Sequence, residues 1–262
     1  MKITSSDLGQ SIQKVEAKRK IARMDRIILV GSGKGGVGKS LVSCAIALSL
    51  SKRKLRTAIL DVDIHGASVP TYLELSPPLR SSENGLEPEL ARDGLKVMSL
   101  SLFTGNNPIP MRGLEKDSLI ADLIALTHWG DLDYLVVDLP PGLGDEVLSS
   151  FSLFDKKALL LLVTTPSPIA KDVVLRLRKL AEMERMRVKG FIVNMSFLES
   201  GSTRTYPFGR LEKDKMEKEL LSPIIGEIPL EPEVSTRGLF HSLDKNGLLS
   251  ISFEKLADEI LD

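Results

Sequence analysis

The chain has almost no cysteine. Cys44 is the only one among 262 residues, which excludes an internal disulfide and fits a reducing cytoplasm. Long apolar runs are also missing. The longest purely aliphatic stretch, Ala158 to Val163, is far shorter than the roughly 20 residues a membrane-spanning helix needs. The first residues hold no apolar core of a secretory signal, so the expected location is cytoplasmic. Neither sign of charge is in excess: 35 lysines and arginines stand against 35 aspartates and glutamates. The overall balance therefore points away from nucleic acid and from an anionic membrane surface as partners. There are no internal repeats and no low-complexity tract. What is present is a chain of 42% apolar residues, enough to bury a sizeable core. Its length suits one large α/β domain, or at most two small ones.

Residues 1–25 read as a basic helical lead-in to a single domain over 26–262. From Ser11 to Arg26 the segment carries Lys14, Lys18, Arg19, Lys20, Arg23 and Arg26 against Glu16 and Asp25. Ile12, Val15 and Ile21 are expected to dock such a helix on the body. A basic arm for nucleic acid or acidic lipid is the alternative. Beyond it, apolar strand-like runs at 27–31, 56–61, 95–100, 133–138, 157–163, 188–193 and 223–227 alternate with helical patterns. The helices fall near 39–52, 114–128, 145–152, 168–185, 211–220 and 250–261. Continuous apolar strands separated by helices predict an α/β fold, a doubly wound and mostly parallel sheet covered on both faces. Residues 75–94, rich in Pro, Ser and Gly, read as an exposed insertion, and 196–210 as a polar loop.

After the first strand run the chain reads Gly33-Lys34-Gly35-Gly36-Val37-Gly38-Lys39-Ser40-Leu41. This contains the G-x-x-x-x-G-K-[ST] phosphate loop between a strand and a helix. Glycines let the backbone wrap a phosphate so that several N–H groups point at one anion. Lys39 stands where a lysine reaches the β- and γ-phosphates, and Ser40 where a hydroxyl ligates Mg²⁺. The following helix turns its positive end to the same anion. A dinucleotide-type G-x-G-x-x-G, Gly31 to Gly36 with Asp61 as ribose acid, overlaps the loop. It leaves Gly38-Lys39-Ser40 unexplained.

Two strand ends supply carboxylates. Leu135-Val136-Val137-Asp138 is an apolar strand ending in an acid, with Asp138 expected to hold Mg²⁺ through its water shell. Leu139-Pro140-Pro141-Gly142 follows, and the Gly142 N–H is expected to meet the γ-phosphate. Ile59-Leu60-Asp61-Val62-Asp63 ends the other strand. Asp63 is the expected catalytic carboxylate and a Mg²⁺ contact, with Asp61 in support. His65 receives no role. Lys34 is either a solvated loop lysine or a group that crosses to a second subunit's ATP, as an arginine finger does.

Lys34 to Ser40 resembles the deviant Walker A motif of the SIMIBI class, which includes MinD, ParA, ArsA and nitrogenase iron protein. The longer matches resemble the Mrp/ApbC family of iron–sulfur cluster carriers. They are Asp61-Val62-Asp63-Ile64-His65-Gly66-Ala67-Ser68-Val69-Pro70, Arg112-Gly113, His128 to Leu135, Asp138-Leu139-Pro140-Pro141-Gly142-Leu143-Gly144-Asp145, Val193-Asn194-Met195-Ser196 and Ile228-Pro229-Leu230-Glu231-Pro232. The resemblance implies a slow ATPase working as a homodimer, with ATP and Mg²⁺ as cofactors and Lys34 acting in trans. It implies that Asn194 reads adenine and that Pro229 packs beside the base. Its implied partners are a second copy and an iron–sulfur scaffold or apo-protein client.

One departure changes the expectation. Where that family carries C-P-x-C after N-M-S, this chain has Phe197-Leu198-Glu199-Ser200-Gly201-Ser202-Thr203-Arg204. Clusters need thiolates, and Cys44, on the helix after the loop, is expected to be buried. The ATPase apparatus carries over and the cluster ligands do not. Two other functions compete: a positioning switch like MinD or ParA, and an ATP-gated adaptor that binds no cluster. The acidic C-terminal segment, with Glu254, Asp258, Glu259 and Asp262 against Lys255, argues against MinD-like lipid binding.

Overall fold

Strands that are apolar at consecutive positions must bury two faces, and helices on both sides of a sheet cover them. A computed structural model describes residues 5–63, 66–76, 78–83, 85–104 and 113–262. Helix α1 (Ser5–Arg23) leads into strand β1 (Arg26–Ser32), then α2 (Lys39–Lys52), β2 (Thr57–Asp61) and α3 (Val69–Tyr72). Next come β3 (Arg80–Ser82), β4 (Gly85–Glu87), β5 (Glu89–Leu90), β6 (Lys96–Ser99), α4 (Ser101–Thr104), α5 (Gly113–Leu126) and β7 (Tyr134–Asp138). They are followed by α6 (Asp145–Phe154), β8 (Ala158–Thr164), α7 (Pro168–Met183), β9 (Arg187–Val193), β10 (Leu198–Ser200) and β11 (Thr203–Thr205). The chain closes with α8 (Lys213–Leu220), β12 (Ile224–Glu227), α9 (Glu233–Arg237), α10 (Leu239–Asp244) and α11 (Leu248–Leu261).

The main sheet has the order β12-β9-β8-β1-β7-β2-β6-β5. Its strands run parallel except β5, which pairs antiparallel with β6. The expected doubly wound α/β fold is what forms. Alternation within β1 shows why: Ile27 and Leu29 join Ile21, Ile124, Phe151 and Leu177 on one face. Ile28 and Val30 join Ile46, Leu50, Phe253 and Leu256 on the other. With β1 between β7 and β8, its carboxyl end opens into the crevice where such sheets bind ligands.

Three local expectations change. Ile21 is buried, but Ile12 and Val15 are exposed; among the described residues, Ala17 in α1 and Met24 just after it are buried with Ile21. The basic Lys20 is engaged structurally: its ammonium donates to the carbonyls of Ala125 and Thr127 at 2.6 and 2.8 Å, closing the end of α5. Residues 75–94 are not a bare insertion, since they form the β3–β4 hairpin and give the sheet its edge strand β5. Residues 196–210 contain the β10–β11 hairpin, with Gly201 at its turn in the left-handed region (φ +59°). Apart from Leu198 its strands are polar, so no apolar pattern announces it.

Candidate functional site

The glycine loop runs from the end of β1 to the start of α2. Lys34, Gly35 and Gly36 form its exposed crest, and Val37 is buried beneath. The Ser32 hydroxyl donates to the Lys34 carbonyl at 3.0 Å and braces that crest. Two glycines are sterically obligatory. A Cβ on Gly33 would lie 2.5 Å from the Val173 backbone of α7. Gly38 has φ +80°, and a Cβ there would stand 2.2 Å from Asn194 Nδ2. Helix α2 begins directly after Gly38, so its first-turn N–H groups face the loop.

Beneath the loop, Asp138 at the end of β7 collects three partners. Its Oδ1 lies 2.7 Å from Lys39 Nζ and accepts the Ser43 hydroxyl at 2.6 Å. Its Oδ2 accepts the Ser40 hydroxyl at 2.6 Å. Asp138 and Lys39 are both buried. A buried ion pair persists only with such additional hydrogen bonds. Ser43 was not singled out from sequence. It lies one helical turn after Lys39, on the same face, and that spacing is the signal that finds it.

Asp61 sits beside Asp138 in the sheet register. Burial, then the neighbouring Asp138 carboxylate, pushes its acid up to about 7 against the pull of Lys39. Asp63 is half-buried just past the strand, and its Oδ1 accepts the Gly66 N–H at 3.0 Å. Ile64, His65 and Arg112 lie outside the described residues. The Gly142 N–H donates to the Ser32 carbonyl at 2.9 Å, so in this arrangement it is engaged by the loop itself and not held free for a phosphate. Ser40, Asp63 and Asp138 offer hard oxygen donors, a set that fits Mg²⁺.

On the other flank, Asn194 follows β9. Its Nδ2 donates to the Val37 carbonyl at 2.9 Å, while its buried Oδ1 has no partner among the described residues. An orphaned buried acceptor against a phosphate loop fits a nucleobase donor. Pro229 is buried after Ile228, whose N–H donates to Val193 and whose carbonyl accepts from Ser196. Leu41 is half-buried at the start of α2.

A family model described as ParA, the NUBPL iron-transfer P-loop NTPases, matches residues 23–260. The chain belongs to this family. Among curated relatives, an iron-sulfur cluster carrier protein of Saccharolobus solfataricus is 34% identical over 235 residues, covering 87% of this chain and 79% of that protein. One from Bacillus subtilis is 37% identical over 221 residues, covering 82% and 62%. Among solved structures, a nucleotide-binding protein from Archaeoglobus fulgidus in complex with ADP is 29% identical, with TM-score 0.73, covering 95% of this chain and 93% of that one. The cell division ATPase MinD of Pyrococcus furiosus, 20% identical over 91% of this chain and 99% of its own, shares the fold with TM-score 0.69.

The described residues do not fit an iron–sulfur cluster. No group of three His, Cys, Asp or Glu side chains among them is placed to hold a metal ion. Cys44 is fully buried, and burial first, then Asp138 and Asp61, pushes its thiol well up. Where the resembling family carries cysteines, the β10–β11 hairpin has Arg204 stacked 4.4 Å from the Phe197 ring centre and bonded to Glu199 at 2.9 Å. No described helix is long and apolar enough to cross a membrane.

Proposed function

We propose that this chain binds and slowly hydrolyses ATP as a pair of subunits, and that it serves iron–sulfur cluster or metallocofactor transfer without holding the cluster on thiolates of its own. One observation carries the nucleotide half: at the foot of a glycine loop, the Asp138 carboxylate lies 2.7 Å from Lys39 Nζ and 2.6 Å from Ser40 Oγ. In this reading Lys39 and the loop N–H groups take the phosphates, while Ser40, Asp63 and Asp138 hold Mg²⁺. Bound Mg²⁺ supplies charge neutralisation on the phosphates. Asp63 orients the attacking water from the edge of the crevice. The Oδ1 of Asn194, without a partner among the described residues, accepts from the exocyclic amine of adenine, where guanine would present a carbonyl. Pro229 covers the base. The exposed Lys34 reaches the second subunit's nucleotide.

The transfer half rests on family membership and on the relatives' names. Against a MinD-like membrane switch, the apolar face of α11 is already occupied: Leu249, Phe253, Leu256 and Ile260 are buried. Its Glu254 and Asp258 are paired with Arg53, and Glu254 also with Lys52.

Nucleotide binding and phosphate release measured on three proteins test the reading. Lys39→Ala is expected to lose ATP binding. Lys34→Ala is expected to keep much of its binding and lose turnover. Undiminished turnover in the Lys34 variant would remove the trans role.

A further inference from the structure

Asp61 makes two hydrogen bonds that the proposed chemistry does not use. Its Oδ1 accepts the backbone N–H of Asp63 at 3.1 Å, and its Oδ2 accepts the Ser99 hydroxyl at 3.1 Å. Asp61 is 1% exposed and Ser99 fully buried. Ser99 Oγ in turn lies 3.0 Å from Ser101 Oγ at the start of α4. The sheet creates the contact, because β2 and β6 run parallel with Asp61 and Ser99 in register. The chain leaves β2 at Asp61, and the N–H two residues later is tied back to that last strand residue. Such a side-chain turn fixes the direction in which the chain departs.

We propose that Asp61 and Ser99 are positioning residues, a clamp that sets the backbone of Asp63 and hence the place of its carboxylate, and that Asp61 is neither a metal ligand nor a second base. The clamp rests on the ATPase reading above, in which Asp63 is the working carboxylate. What it needs is hydrogen-bond geometry, not charge. An asparagine at 61 retains it: Oδ1 accepts from Asp63, and Nδ2 donates to Ser99 Oγ, which turns its own proton to Ser101. An alanine retains neither bond. It leaves the Ser99 hydroxyl and the Asp63 N–H without their partner.

The test measures kcat and KM for ATP, together with amide hydrogen exchange at Asp63, in the full chain and in Asp61→Ala, Asp61→Asn and Ser99→Ala. Asp61→Ala is expected to lower kcat by about 10²-fold, the scale of a misplaced catalytic group. Its KM should stay within about twofold, since the phosphate loop is untouched. Asp61→Asn should recover most of that loss, and Ser99→Ala should fall between them. The Asp63 amide should exchange slowly in the unsubstituted chain and in Asp61→Asn, and quickly in Asp61→Ala. An asparagine variant as impaired as the alanine one overturns the clamp, because charge is then what matters. Unchanged kcat in Asp61→Ala overturns it too. Ser99→Ala removes a single hydroxyl, so it reads the clamp even where Asp61→Ala fails to fold. If the unsubstituted chain hydrolyses no ATP, the ATPase reading falls. The exchange data still decide the clamp, which an unprotected Asp63 amide overturns.

Discussion

At the scale of single residues, the site depends on how closely backbone and side chain approach. Gly38 combines a left-handed backbone with a Cβ position 2.2 Å from Asn194 Nδ2. A methyl group there must displace the amide that holds the Val37 carbonyl, and no neighbouring flexibility relieves the backbone strain. Gly38→Ala is expected to weaken ATP binding by at least about tenfold, with a smaller loss of stability, read by titration calorimetry and by chemical denaturation. Lys39 and Ser40 are legible from sequence because their spacing from the glycines is chemistry in itself. Ser43 and Ser99 are not. Their partners Asp138 and Asp61 stand 95 and 38 residues away, and only the sheet register brings them together.

At the scale of elements, the buried strands were legible because a strand covered on both faces must be apolar at every position. The hairpin β10–β11 was not, because its ladder is built from Leu, Glu, Ser, Thr and Arg on an exposed surface. Its hold comes from backbone bonds and the Arg204–Phe197 stack, and no periodicity records those. The lead-in helix shows a subtler miss. Helical spacing alone left open which apolar residues face inward, and Ala17, Ile21 and Met24 do. Ile21 is 5% exposed against α5. Ile21→Ala is expected to destabilise the fold by about 2–5 kcal/mol in urea unfolding, whereas Ile12→Ala, at an exposed position, should change it by less than about 0.5 kcal/mol.

At the scale of the whole molecule, the chain pairs a phosphate-loop crevice with a single cysteine that is fully buried. Anaerobic incubation with iron and sulfide is therefore expected to leave the isolated protein without the visible absorption of a cluster. Absorption that appears on this chain alone, and persists in Cys44→Ser, would count against the reading of its surface. The single thiol offers a simpler measurement. A thiolate is the reactive form, and burial holds Cys44 protonated. In native protein at pH 8 it should react with a disulfide reagent far more slowly than in urea, with one equivalent released on unfolding.

The sealed position of Cys44 in α2 carries one more consequence. An engine whose only sulfhydryl is shut inside its core offers dioxygen and peroxide no sulfur of this kind to attack. Its nucleotide cycle should run as well in aerated buffer as in a glove box. Oxygen sensitivity found in an assembly reconstituted with a second, thiol-bearing protein would then belong to that protein, and which of the two fails in air becomes a way to tell them apart.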